Sequence, residues 1–353
     1  MIEYWHWHTL HFGAETYWGG VLGHNGRPGR TYRELAQLGA ELQAAGGLVA
    51  GLTPDADIAM LYSRPSKWLL QSFPPLAHDD GSPDVSAYHG LFDPFYRGAF
   101  DAGRQVRILH VGQLIGDDRS VAGAARRHPV LVVTGLYIAD DATLDWLAAY
   151  AAAGGHLVVG PRSGYADEEA RARTDVMPAR LAEAAGVCYD EFSNIAEDLP
   201  VTAAAGAPFE LPPTAAGTRW VDGLCPDGAQ ILAQYEHPHF GRWPAVTTHP
   251  HGRGRITYVG TVPNRHLAAA LLRWLVPAAD DQRWQTTALS VTTTGATARD
   301  GRRVRFLHNW SWEPCTVRTP IPVQDLLSGR DCDAGEELDL GAWDVRVFVE
   351  KRP

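Results

Sequence analysis

Pro129-Val130-Leu131-Val132-Val133-Thr134-Gly135, the segment Asp140–Ala153, and Gly154-Gly155-His156-Leu157-Val158-Val159-Gly160 together decide the fold. A continuous apolar run after a proline, too short for a helix, reads as a strand covered on both faces. The segment 140–153 reads as a helix, and the glycine pair after it leads into a second apolar strand. Strand, helix and strand in this order form a βαβ unit, which closes only as a right-handed crossover in a parallel sheet.

The same rhythm extends in both directions over residues 55–277. Asp57–Tyr62 reads as a short buried strand. Ser86–Ala102 reads as an amphipathic helix ended by Gly103, and Gln105–Val111 as the next strand. Ala245–Thr248 and Arg255–Val259 form a hairpin-like pair around Gly252 and Gly254, and a last helix runs from about Pro263 to Leu275. The pattern predicts a doubly wound α/β sheet. The stretch 190–230 is rich in Pro, Ala and Gly and carries the weakest pattern. From 278 onward only short alternating segments appear, at Ala288–Thr294, Arg303–Asn309, Cys315–Thr319 and Trp343–Glu350. Turn residues separate them, as in a small antiparallel β domain.

Residues 1–51 read as strand, loop and helix. Glu3–Leu10 places bulky residues at β-favouring positions. Thr31 stands as an N-cap with Glu34 three residues on, and Tyr32–Ala45 carries Leu35, Leu38 and Leu42 at helical spacing up to Gly46-Gly47. A lone strand–helix unit has no core of its own. It is expected to expose an apolar helix face, and its deletion to improve solubility.

The chain has 353 residues, 45% of them hydrophobic and 20% charged, the balance of a soluble multidomain protein. Its net charge is −10 and no basic cluster tracks a phosphate backbone, which argues against nucleic acid and anionic membrane as partners. No apolar run reaches the roughly 18 residues of a membrane span, and the N-terminus is not patterned as a signal peptide. The scattered cysteines Cys188, Cys225, Cys315 and Cys332 form no C-x-x-C pair and fit a reducing cytoplasm.

Tyr4-Trp5-His6-Trp7-His8-Thr9-Leu10-His11-Phe12-Gly13-Ala14-Glu15-Thr16-Tyr17-Trp18-Gly19-Gly20 carries the chemistry. Aromatic faces stack on the C–H faces of sugars, and a carboxylate accepts hydrogen bonds from sugar hydroxyls. A carboxylate in a loop among indoles is therefore the composition of a carbohydrate site. Each Trp could equally be core, and Glu15 could be a solvated surface group. Two rival readings use other residues. His6-x-His8 has the spacing of a metal pair on one strand face, but no barrel of further ligands follows. Acyl-transfer chemistry of the amidotransferase type would need a nucleophile on a sharp turn after a strand. The turns read Gly135-Leu136-Tyr137 and Gly160-Pro161-Arg162-Ser163-Gly164, without Cys and without a G-x-S-x-G arrangement. No metal and no cofactor is expected.

Tyr4–Gly20 resembles the final barrel strand of family-42 glycoside hydrolases, the bacterial β-galactosidases. Ala56–Tyr62, Gly160–Gly164 and Asp167-Glu168 resemble that family's middle domain, an amidotransferase-like α/β fold without the catalysis that mediates trimerisation. Phe306–Trp310 and Val345–Val349 resemble its small C-terminal β domain. The resemblance divides the chain into 1–51, the last strand and helix of a truncated (β/α)8 TIM barrel; 52–277, an α/β trimerisation domain; and 278–353, a C-terminal β-sandwich domain. It implies a glycosidase of carbohydrate metabolism, a cytoplasmic homotrimer that hydrolyses terminal β-D-galactosides with retention. It places Trp5, Glu15 and Trp18 as galactose-binding residues. It also implies that both catalytic glutamates belong to earlier barrel strands, so that this chain is a fragment with no catalytic residue of its own, or else a non-catalytic oligomerisation remnant.

Overall fold

The computed structural model describes residues 3–17, 19–56, 58–115, 120–277, 284, 286 and 288–351. The chain divides into two compact units, one of residues 56–279 and one that joins residues 1–55 to 280–353.

The α/β unit is built on an eleven-stranded mixed sheet. Its parallel part runs, in spatial order, Val106–His110, Ile58–Tyr62, Val130–Val133, His156–Val159 and Gly254–Val259. In chain order this is 2-1-3-4-5, a flavodoxin-like winding. The sheet continues antiparallel through Pro244–His251, Gln230–Tyr235, Leu199–Ala203, Ala216–Asp222 and Thr261–Pro263, with Phe192–Asn194 beside Ala216–Asp222. Period-two alternation divides the side chains between two cores. Ile58, Met60, Val130, Val132 and Val158 join helices Ala87–Asp101 and Arg265–Leu275 on one face. Ala59, Leu61, Leu131, Val133, Leu157 and Val159 join helix Asp141–Ala152 and the turn around Leu181 on the other. This is why Val130–Val133 is apolar at every position. Full burial of Leu91, Phe92 and Phe95 from helix 87–101 contributes about 1.5–3 kcal/mol each. Gly98 on that helix meets Ala268, where a Cβ would come closer than 3.0 Å, so the two helices pack nearly backbone to backbone.

The strands and helices read from sequence between 55 and 190 lie where expected. Asp140 caps its helix through Thr143 N–H and Ser86 precedes helix 87–101; Asp57 lies outside the described residues. The weakly patterned stretch 190–230 holds three strands of the large sheet, Phe192–Asn194, Leu199–Ala203 and Ala216–Asp222, and the short strand Cys225–Pro226, which pairs with Val187–Cys188. Pro200, Pro212 and Pro213 interrupt its sequence period, but Pro200 sits at a point where its strand makes only two pairings with 216–222.

The second unit corrects the reading of residues 1–51. Glu3–Leu10 is not a strand; it contributes one isolated parallel bridge, His8 to Leu22, because no neighbouring strand runs along it. The helix runs Arg30–Val49. Gly29 is its N-cap and Thr31 lies inside it, and it passes through Gly46-Gly47. Packing overrides those two glycines: Leu48 is buried with Ala298, Val304, Val347 and Val349, under the C-terminal sheet. Thr53–Pro54 then pairs with Ala296–Thr297 at the edge of that six-stranded sheet. Deleting residues 1–51 would uncover Val304 and Val347, so the expected gain in solubility does not fit this packing. The opposite stripe of the helix matches expectation, with Leu38 and Leu42 exposed.

The C-terminal strands Val291–Thr297, Arg303–Asn309, Val345–Glu350, Val323–Asp325 and Asp331–Cys332 follow one another in the sheet. A separate pair, Cys315–Arg318 with Glu337–Leu340, packs Val317, Leu338 and Leu340 against Leu307 and Phe348. A small core between two antiparallel layers results.

Gly39 offers a direct test of helix 30–49. It is exposed and nothing lies within 4 Å of where a Cβ would be. Gly39→Ala is expected to stabilise this unit by about 1 kcal/mol. Chemical denaturation monitored at the unit's own tryptophans measures it, and an unchanged or lowered midpoint contradicts the helix.

Candidate functional site

Residues 6–9 and 20–22 lie side by side, and the loop between them projects outward. Thr9 N–H donates to Leu22 O at 2.9 Å, Leu22 N–H to Trp7 O at 2.8 Å and Val21 N–H to His6 O at 3.0 Å. The buried Thr9 hydroxyl donates to Leu22 O at 3.1 Å and accepts from Gly20 N–H at 2.9 Å. Gly20 is required here, since a Cβ would come closer than 3.0 Å to the backbone of His8 and Thr9. His11 and His24 fasten the loop base, each ring bonding the other strand's carbonyl at 3.1 and 3.0 Å.

At the loop tip Ala14–Tyr17 forms a single 3₁₀ turn with Glu15 in it, and Thr16 Oγ1 donates to Gly13 O at 3.2 Å. Glu15 is exposed and makes no hydrogen bond or ion pair among the described residues. It does not cap the turn it belongs to. Trp5 is 87% exposed, so it is not a core residue. Trp18 lies outside the described residues. Trp5 and Glu15 are thus both exposed.

Beside the loop, Tyr4, Trp7, Val21, Tyr32, Leu35 and Ala36 line an open groove of about 380 Å³. Trp7 stands edge-on to Tyr32 at 6.1 Å. The groove is mostly apolar, and no carboxylate lines it. Among the described residues no three His, Cys, Asp or Glu side chains converge.

The α/β unit answers the amidotransferase question with a residue that sequence reasoning passed over. After strand His156–Val159, Arg162 adopts φ of 60° in the turn Gly160–Gly164. This is a sharp turn of the kind that presents a nucleophile, and it presents a guanidinium. Ser163 beside it is buried and its hydroxyl donates to Val133 O at 3.3 Å. Neither group can attack an acyl carbon. The guanidinium lies over Tyr165 at 3.9 Å, Phe192 at 4.9 Å, Tyr137 at 5.0 Å and Trp220 at 5.1 Å. Its charge is held by cation–π attraction. Asp222 lies fully buried nearby, accepting from Trp220 Nε1 at 2.8 Å and Tyr258 OH at 3.0 Å. Burial pushes its carboxyl up to about 6, against the opposing pull of these hydrogen bonds and of Arg162. The signal in sequence was Gly160-x-Arg162-x-Gly164 directly after an apolar strand. The crevice at the strand-order reversal, where such folds hold ligands, is filled: Tyr62, Tyr88 and Phe92 pack there with ring centroids 5.2–5.9 Å apart.

Residues 56–280 match the β-galactosidase trimerisation domain of glycoside hydrolase family 42. The chain belongs to this family. Residues 1–45 match the family's β-galactosidase domain. β-Galactosidase Bga of Halorubrum lacusprofundi is 29% identical over 279 residues, covering 76% of this chain and 37% of that protein. BgaB of Geobacillus kaustophilus is 26% identical over 353 residues, covering 99% of this chain and 49% of that protein. Among solved structures, the family-42 β-galactosidase Gan42B superimposes with a TM-score of 0.82 at 22% identity, over 99% of this chain and 48% of that one. The β-galactosidase of Bacillus circulans sp. alkalophilus gives 0.83 at 19%, over 98% and 49%. At such identities these structures establish the fold. The chain spans half or less of the length of these relatives. No helix of the described residues is long and apolar enough to cross a membrane.

Proposed function

We propose that this chain is the C-terminal portion of a retaining β-galactosidase that cleaves terminal β-D-galactosides in the cytoplasm. In this reading residues 1–51 supply the last strand position and helix of its (β/α)8 barrel, Glu3–Leu10 becoming a strand only where a preceding barrel strand pairs with it; residues 52–277 supply the trimer contacts, and residues 278–353 a β-sandwich. Trp5 packs on the galactose ring, Glu15 accepts hydrogen bonds from its hydroxyls, and Trp18 closes one side. The observation that carries the reading is the order of the two family matches, 1–45 then 56–280. An exposed Glu15 with no protein partner, in a loop with an exposed indole, supports it. Retaining hydrolysis needs two carboxyl groups about 5–5.5 Å apart, and Glu15 is the one acidic residue between Tyr4 and Gly20. The family resemblance assigns both catalytic glutamates to earlier barrel strands, so in this reading Glu15 binds sugar and is neither of them.

Two measurements test it. The purified 353-residue chain is expected to release no nitrophenol from nitrophenyl β-galactoside; turnover that Glu15→Gln abolishes would overturn the assignment. Joined to a family barrel that restores activity, Glu15→Ala is expected to lower kcat/KM by about one to two powers of ten, the worth of charge-assisted bonds to neutral hydroxyls. Discrimination between galactosides and fucosides unchanged in that variant would remove Glu15 from the sugar site. If no barrel restores turnover, the chain is an oligomerisation remnant.

A further inference from the structure

The C-terminal β unit carries a cluster of indoles that the galactosidase reading does not use. Trp310, Trp312 and Trp343 are 51%, 77% and 50% exposed. Trp343 stands edge-on to both of the others, with centroids at 6.4 Å to Trp310 and 6.0 Å to Trp312. Trp310 is backed by the ring of His308, stacked at 5.0 Å, and its Nε1–H donates to Thr292 Oγ1 at 2.7 Å. Exposed aromatics grouped in this way mark an interaction site.

The cluster is built rigidly from below. Asn309 is 1% exposed, and its amide joins the loops that carry the indoles. Its Nδ2 donates to Glu313 O at 2.8 Å and Gly341 O at 2.9 Å, and its Oδ1 accepts from Ser290 Oγ at 2.8 Å and Ser311 Oγ at 3.1 Å. Trp343 N–H donates to Ser311 O at 2.9 Å, and Trp310 N–H to Ser290 O at the same distance. Trp343 holds φ of 53°, a region that an aromatic residue rarely adopts. A surface held in one geometry binds without an ordering cost.

Position and chemistry select the ligand. Helix 30–49 covers Val304 and Val349, at one end of the strands Arg303–Asn309 and Val345–Glu350. The indoles lie at the other end, about 20 Å along the strands. Residues 310–314 and 341–344 contain no Leu, Ile, Val or Met. The Glu313 side chain, beside Trp312, is exposed and makes no hydrogen bond or ion pair among the described residues. Flat indole faces beside an exposed carboxylate suit the C–H faces and hydroxyls of pyranose rings. A protein interface would want a more continuous apolar centre. We propose that Trp310, Trp312 and Trp343 form a binding platform for an extended oligosaccharide or polysaccharide chain, separate from the sugar-binding loop at Glu15.

Affinity electrophoresis of the full chain through gels containing soluble β-1,4-galactan, arabinoxylan or mixed-linkage β-glucan tests this. At least one polysaccharide is expected to retard the wild-type chain and to blue-shift its tryptophan emission. Trp312→Ala and Trp343→Ala should each weaken the retardation at least tenfold, while Trp312→Tyr keeps most of it. Unchanged circular dichroism and melting of Trp312→Ala, whose side chain makes no hydrogen bond, separates binding from folding. Wild-type mobility unaffected by all three polysaccharides overturns the proposal, as does retardation that survives both alanine variants. A change of oligomer size in Trp312→Ala without loss of binding to any gel would mark the platform as a protein interface and overturn it too. Because Glu15 is outside the platform, these outcomes are independent of the galactosidase reading.

Discussion

Gly254→Ala is expected to destabilise the α/β unit by about 4 kcal/mol or more, the scale of a core change that the backbone cannot absorb. Gly254 opens the strand that pairs in parallel with His156–Val159. A Cβ there would come closer than 3.0 Å to the carbonyl oxygens of Ala151 and Gly155 and to the backbone of Gly154. All three belong to the helix end and turn that lead into the neighbouring strand, so no flexible side chain can move aside. Calorimetry of the full chain reads the effect as loss, or a large downward shift, of the transition of this unit. A variant melting within 2 °C of wild type, for which about 1 kcal/mol suffices in a unit of this size, would show that strand 254–259 does not pack against that turn.

Asp222→Asn is expected to stabilise the protein relative to wild type at pH 7 by an amount that vanishes in acid. The carboxyl of Asp222 sits at about 6 when folded and at 3.8 ordinarily. Below pH 3.8 both states hold the proton and the group contributes no pH-dependent term. Between 3.8 and 6 the unfolded chain releases it while the folded chain retains it, so stability falls as pH rises. Above 6 the full penalty is present, about 3 kcal/mol by the linkage relation. Asparagine keeps an oxygen for Trp220 Nε1 and can donate to the Tyr258 hydroxyl, and it does not titrate. The difference in stability between variant and wild type should therefore grow from pH 4 to pH 6.5 and then level off. Parallel profiles, or a difference that shrinks over this range, would show that Asp222 does not titrate within the core.

The parallel core was legible because buried parallel strands are apolar at every position. Val130–Val133 and His156–Val159 could be little else once a helix of suitable length lay between them. The antiparallel half was not legible, since strands such as Ala216–Asp222 alternate little and carry proline nearby, and pairing across the sheet supplies what propensity lacks. At the N-terminus the reading failed for a related reason. Trp5 and Trp7 have β-favouring side chains, but a strand exists only with a neighbour to pair with, and His6–Thr9 has only a brief parallel partner in Gly20–Leu22.

For the candidate site, sequence composition pointed to Trp5, Glu15 and Trp18, a carboxylate and indoles in a glycine-bounded loop; the structure adds that Trp5 and Glu15 are exposed. The parallel α/β unit and the small antiparallel β unit were legible too, since hydrophobic period is local. Tertiary structure decided that helix 30–49 passes through Gly46-Gly47, because Leu48 gains a buried seat against Val304 and Val347 that outweighs two helix-weakening glycines. It also decided that Arg162 lies in an aromatic cage beside Asp222, and that Trp310, Trp312 and Trp343 form one surface. Arg162 and Asp222 are 60 positions apart, and Trp343 lies 31 and 33 positions beyond Trp312 and Trp310. Only long-range pairing of strands, which no local preference encodes, brings them together.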